Sequence, residues 1–142
     1  MAISARNVLV GKVSALSDGP VNAEVEVTTA TVNRIVAIVT EASAKSLGLA
    51  VGKEAAVVIK APWVVLMTGQ QQYRFSARNQ LQGSVAKVAR GAVNSQVTVA
   101  LAGGDKIQAV VTNEAADELG LATGAAVTAM FKASHVMLGV PA

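Results

Sequence analysis

Several polar positions in this chain recur at a constant spacing of 72 residues, and each carries a hydrogen-bond donor. Ser4, Arg6 and Asn7 return as Ser76, Arg78 and Asn79, Thr40 returns as Thr112, and Lys60 returns as Lys132. Ser43 adds a hydroxyl three residues after Thr40, whereas Ala115 stands at the matching place in the second copy. Hydroxyl, amide, guanidinium and ammonium groups can all donate, and no Asp or Glu recurs at the same spacing. An unprotonated tetrahedral oxyanion needs donors only, while a protonated phosphate would also use an acceptor. The inventory therefore leans toward a sulfate-like or molybdate-like anion. A helix beginning at Thr40 or Thr112 would add free backbone N–H groups and the positive end of its dipole.

The spacing belongs to a repeat that covers almost the whole chain. Of the 64 ungapped pairs from Ser4–Ser76 to Met67–Gly139, 27 are identical. A register that long marks two copies of one unit of about 70 residues. A unit of that size is marginal alone, so the copies are expected to pack together or the chain to oligomerise. Residues 1–68 form the first unit and 73–142 the second, with the polar segment 69–72 as linker.

The elements that must position the donors are mostly strands. Val21, Ala23, Val25 and Val27 alternate with Asn22, Glu24 and Glu26, and Val93, Ser95, Val97 and Val99 repeat the alternation. Apolar runs at 35–39 and 55–59 are matched at 107–111 and 127–131, and Gly11, Gly19, Gly52 and Gly103-Gly104 punctuate them as turns would. One segment per copy breaks this pattern. Thr40 to Gly48 and Thr112 to Gly120 each offer a Thr for the N-cap, an acidic first turn, alanines and a C-terminal glycine, which predicts a short helix. Each unit is expected to be a small barrel of about five strands with one helix.

Composition excludes several chemistries. The absence of cysteine rules out disulfides, thiolate metal sites and a cysteine nucleophile, and the single His135 rules out a multi-histidine metal site within one chain. No run of about 18 apolar residues occurs, so no membrane helix is expected. The start lacks the basic-then-apolar pattern of a secretory signal, and a cytoplasmic location is expected. A net charge of +3 favours an anionic partner only mildly.

The combination of Ser-Ala-Arg-Asn, Gly-x-Val-Asn-x-x-Val, the Thr-led helix and the late Lys-Ala resembles the molbindin, or Mop, domain, in its tandem form. The resemblance spans Ser4 to Ala142. It implies a mainly β fold of two tandem OB-like five-stranded β-barrels, each with one short helix. It also implies binding of molybdate and tungstate at interfaces between subunits of a homo-oligomer, a trimer for this form, with no catalysis and no organic cofactor. Carried over residue by residue, the oxyanion-binding set is Ser4, Ala5, Arg6, Asn7, Thr40, Ser43, Lys60 and Ala61 in the first copy. In the second it is Ser76, Ala77, Arg78, Asn79, Thr112, Lys132 and Ala133, with the alanine contacts made by backbone. Val21 and Asn22, with Val93 and Asn94, are candidates for an additional site where equivalent loops meet on a symmetry axis. Ala115, and Ala61 and Ala133 where family members have a serine, are expected to weaken sites rather than abolish them.

Plainer roles stand beside these. Arg6 and Arg78 could pair with surface carboxylates, Thr40 and Thr112 could only cap helices, Lys60 and Lys132 could be solvated strand ends, and Asn7 and Asn79 could close turns. Trp63 reads as packing, and its counterpart His135 as a surface or interface residue. Two further functions compete with storage of the anion. One is a molybdate-responsive regulatory module acting through a separate partner. The other is an OB-type nucleic-acid binder, against which the few aromatics and the small charge excess argue. No acid–base pair, activated nucleophile or nucleotide loop points to an enzyme.

Overall fold

The computed structural model describes residues 2–142. Its strands are β1 (Asn7–Asp18), β2 (Asn22–Thr29), β3 (Arg34–Thr40), β4 (Glu54–Ile59), β5 (Val65–Met67), β6 (Asn79–Arg90), β7 (Asn94–Leu101), β8 (Lys106–Thr112), β9 (Ala126–Phe131) and β10 (Met137–Gly139). The helices are α1 (Glu41–Leu47) and α2 (Asn113–Leu119). The fold is mainly β and tandem, as expected. Each helix forms where the caps predict it: Thr40 and Thr112 accept from the backbone N–H three residues on, and Gly48 and Gly120 take the left-handed conformation at the other end.

The strands form two curled five-stranded antiparallel sheets, ordered β10-β4-β1-β2-β3 and β5-β9-β6-β7-β8. The last short strand of each copy has therefore crossed over. Met137–Gly139 pairs with β4, and Val65–Met67 pairs with β9. Each half-barrel was expected to draw its strands from its own copy, but it takes four from one copy and one from the other. The two short strands are equivalent in the repeat, so nothing local decides which sheet each joins.

The long strands β1 and β6 serve both sides of their sheets. Residues 7–12 pair with β4 and 11–18 with β2, with a bulge between Val13 and Ala15 that bends the strand round the core; β6 repeats this with a bulge between Val85 and Lys87. Gly11 and Gly83 lie where the strands crowd, since a Cβ at either would come 2.3 Å from a backbone oxygen of the neighbouring strand. The inward residues of each alternating run, among them Val25, Val27, Ile35, Val97, Val99 and Ile107, are fully buried. Burial of these apolar side chains supplies the main stabilisation.

The copies are related by a local twofold, shown by equivalent positions that touch. Trp63 stacks on His135 at 5.0 Å between ring centroids, and the Asn33 amide donates to the Asp105 carboxylate at 2.8 Å. Asp105 also accepts from Thr29 and Thr31, each at 2.6 Å.

Candidate functional site

The sheet start and the late lysine of each copy come together. In the first copy a cavity of about 220 Å³ is lined by Ser4, Ala5 and Lys60, with Ile3, Val58 and Met137. In the second, a cavity of about 430 Å³ is lined by Ser76, Ala77 and Lys132, with Phe75 and Met130. Asn7 pairs with Ile59 and Asn79 with Phe131, and this antiparallel pairing of β1 with β4 and β6 with β9 brings each serine near its lysine. Lys60 and Lys132 each precede a 3-10 turn, whose first backbone N–H groups, at Ala61 and Ala133, have no partner within the turn. Trp63 and His135 line both cavities, so the two donor sets share one aromatic wall.

The arginines go elsewhere. Neither Arg6 nor Arg78 lines these cavities. The Arg78 guanidinium reaches the other copy and donates from Nη2 and Nη1 to the Glu24 carboxylate at 2.6 and 3.0 Å. The surface-carboxylate reading thus holds for Arg78 in this structure. The hydrogen bond from Arg78 is the largest influence on Glu24 and holds its carboxyl below its ordinary value, against a small opposing effect of burial. Glu24 faces Ile38 across β2 and β3, and Asn22 faces Thr40 one strand repeat away, roughly 7 Å along the sheet. Arg78 of the second copy therefore stands beside the loop and helix start of the first.

Asn7 and Asn79 explain this seating, and their role differs from the expected one. Asn79 Nδ2 donates to the Val36 carbonyl and Asn79 Oδ1 accepts from the Val36 N–H, both at 2.8 Å. Asn7 does the same to Gln108, at 2.8 and 2.6 Å. Each amide grips the outward backbone groups of the other copy's edge strand, β3 or β8. Neither asparagine closes a turn: each spends its amide oxygen and one amide proton on the opposite edge strand, and both residues are 2% exposed. Asn7 grips β8 in the same way, and Gln96 on β7 stands at the repeat position of Glu24; Arg6 makes no ion pair among the described residues.

At the helix starts the loss of a hydroxyl in the second copy is offset. Thr40 Oγ1 accepts from the Ser43 N–H at 3.1 Å and donates its own proton to Ser43 Oγ at 2.8 Å, leaving the Ser43 hydroxyl proton free. Thr112 caps the Ala115 N–H at 3.1 Å and, with no serine beside it, keeps its own proton free. Each copy thus presents one hydroxyl donor at this place.

The Gly-x-Val-Asn loops match each other closely. Gly19 N–H donates to the Asn22 carbonyl, and Gly91 N–H to that of Asn94; a Cβ on either glycine would meet that oxygen at 2.8 Å, so the turn requires glycine. Val21 and Val93 are each 71% exposed at the loop tips, with Asn22 and Asn94 exposed beside them. Sequence reasoning missed Glu24, whose signal was its replacement by Gln96 opposite a recurrent arginine.

Fold and site together define a protein of two tandem, strand-exchanged half-barrels carrying a duplicated, donor-rich surface. The TOBE domain family matches residues 3–66 and 76–138, and the chain belongs to that family. The cytoplasmic molybdate-binding protein ModG, solved with molybdate bound, has a structure that superposes with a TM-score of 0.95 at 55% identity, covering 99% of this chain and 100% of that one. The molybdenum transport protein ModE of Herbaspirillum seropedicae is 46% identical over 140 residues, which is 99% of this chain and 52% of that protein. The molybdenum-pterin-binding protein MopA of Rhodobacter capsulatus is 44% identical over 141 residues, 99% of this chain and 53% of its own. The chain spans about half the length of these curated relatives. The resemblance to the Mop domain read from the motifs is borne out.

Proposed function

We propose that this protein binds molybdate, and tungstate with it, at sites completed between subunits of a homo-oligomer, and holds the anion for intracellular storage in the cytoplasm. The observation that carries the reading is the division of the donor set within one chain. Ser4 and Lys60 share one cavity with Ser76 and Lys132 repeating the arrangement, while Arg78 lies over the opposite copy and the Thr40–Ser43 pair caps α1. A second chain is the economical way to bring these groups around one anion. Cationic Arg and Lys would neutralise the charge, and hydroxyl and backbone donors would fix the tetrahedral geometry.

The apolar outer face of the first sheet supports assembly. Val8 and Met137 flank Val58 across β1, β4 and β10, with Val10 two residues on, and the three outermost are 41%, 60% and 54% exposed in that order of Val8, Met137 and Val10. An apolar patch of this kind favours contact with another chain, and we take the assembly to be a trimer. Likeness to ModG over its whole length supports the ligand and the cytoplasmic location. The reading is one of binding without catalysis.

The test is native mass spectrometry of the wild type and of the Arg6→Ala, Arg78→Ala double variant, with molybdate and with sulfate as control. Wild type retaining several molybdates per oligomer against excess sulfate, with retention lost in the folded double variant, is the expected result. Equal retention by both would defeat the assignment of the arginines.

A further inference from the structure

We propose that Glu24 is an internal competitor for the anion at Arg78, so that the two kinds of site in this chain differ in strength. The inference rests on the oxyanion-binding reading and adds to it a residue that sets the strength of one site. Arg78 gives two of its five N–H donors to Glu24 in a bidentate pair, at 2.6 and 3.0 Å, and its charge is matched by the carboxylate. At the position of the second copy equivalent to Glu24 the chain carries Gln96, an uncharged amide. Gln96 donates to the Gln108 side chain at 3.2 Å, within its own sheet. A dianion arriving at Arg6 meets a free positive charge. At Arg78 it must displace Glu24 or bind with that carboxylate a few ångströms away.

Three features make this competition rather than obstruction. The pair is exposed, with side-chain exposures of 51% for Arg78 and 42% for Glu24, so the carboxylate is free to swing into water. Glu24 stands in the same outward row as Asn22 and opposite Ile38, one repeat from Thr40, and its charge therefore acts on the helix-start donors as well as on Arg78. A glutamate is ionised at neutral pH, and the hydrogen bond from Arg78 lowers the pKa of this one further. The second copy has exchanged this acid for an amide while the arginine recurs, so the difference in charge at this place lies in one side chain.

Removing one unit charge close to a bound dianion near a protein surface changes affinity about tenfold. The experiment is calorimetric titration of molybdate into the full chain as wild type, Glu24→Gln and Gln96→Glu, at low and high salt. Glutamine already occupies the equivalent position in the second copy, and both residues are at the surface, so both variants are expected to fold. Wild type should show two classes of site. Glu24→Gln should strengthen the weaker class about tenfold and merge the two, Gln96→Glu should weaken the stronger class, and the gap between classes should narrow at high salt. An unchanged or weakened isotherm for Glu24→Gln, with wild type still binding, overturns the competition. A wild type that binds no molybdate overturns the underlying oxyanion reading, and the inference falls with it.

Discussion

Replacing Asn79 by alanine should loosen the whole molecule. The amide holds both backbone groups of Val36 at 2.8 Å, and Val36 lies in the edge strand β3, where these groups have no neighbouring strand on that side. Truncation leaves one N–H and one C=O without partners in a partly buried place. Each such orphan costs about 1–3 kcal/mol, so the loss should be roughly 2–4 kcal/mol after allowing for partial access of water. Against a total stability of about 5–15 kcal/mol that is a large fraction. With a urea dependence of about 2 kcal/mol per molar, the unfolding midpoint should fall by roughly 1–2 M. The single Trp63, stacked on His135 between the copies, provides the fluorescence signal. Asn79→Asp tests the same point, because a carboxylate can accept from the Val36 N–H but repels its carbonyl, and it should destabilise comparably. A midpoint shifted by less than about 0.3 M, together with lost anion retention, would refute the grip and return Asn79 to the ligand set.

Three further outcomes follow from the local geometry. Ser43→Ala should change molybdate affinity by less than about threefold in equilibrium dialysis, because Thr40 then keeps its own proton as Thr112 does; Thr40→Val should also remove the cap of α1, at about 1 kcal/mol by thermal unfolding. On acidification, stability should fall through Asp105. Burial there works to raise its pKa, but donation from Thr29, Thr31 and Asn33 outweighs it and leaves the carboxyl below its ordinary value of 3.8. A folded pKa below the unfolded one means that the stabilisation is fully present above about pH 4 and is lost as the pH falls through the folded value. Asp105→Asn should therefore flatten the acid limb of a stability-against-pH curve, and an unaltered limb would remove Asp105 from the account.

The sequence by itself determined the repeat, the alternating strands, both capped helices and the identity of the recurrent donors. These are written in short-range terms: apolar residues at period two, Thr40 and Gly48 bracketing seven helical residues, and a shift of 72 that aligns Arg6 with Arg78. They need only neighbours along the chain to be read. The tertiary structure decided which groups meet. Asn79 grips Val36 across 43 residues, Arg78 pairs with Glu24 across 54, and Asn7 grips Gln108 across 101. The exchange of β5 and β10 is of the same kind, because two equivalent three-residue strands can satisfy the same edge pairing in either sheet. Such choices depend on the summed packing of both half-barrels, and no local pattern encodes them. For the same reason the donor inventory was legible while its partition was not: residue type follows from the chain, but the direction in which Arg78, just before β6, points follows from where the opposite sheet stands.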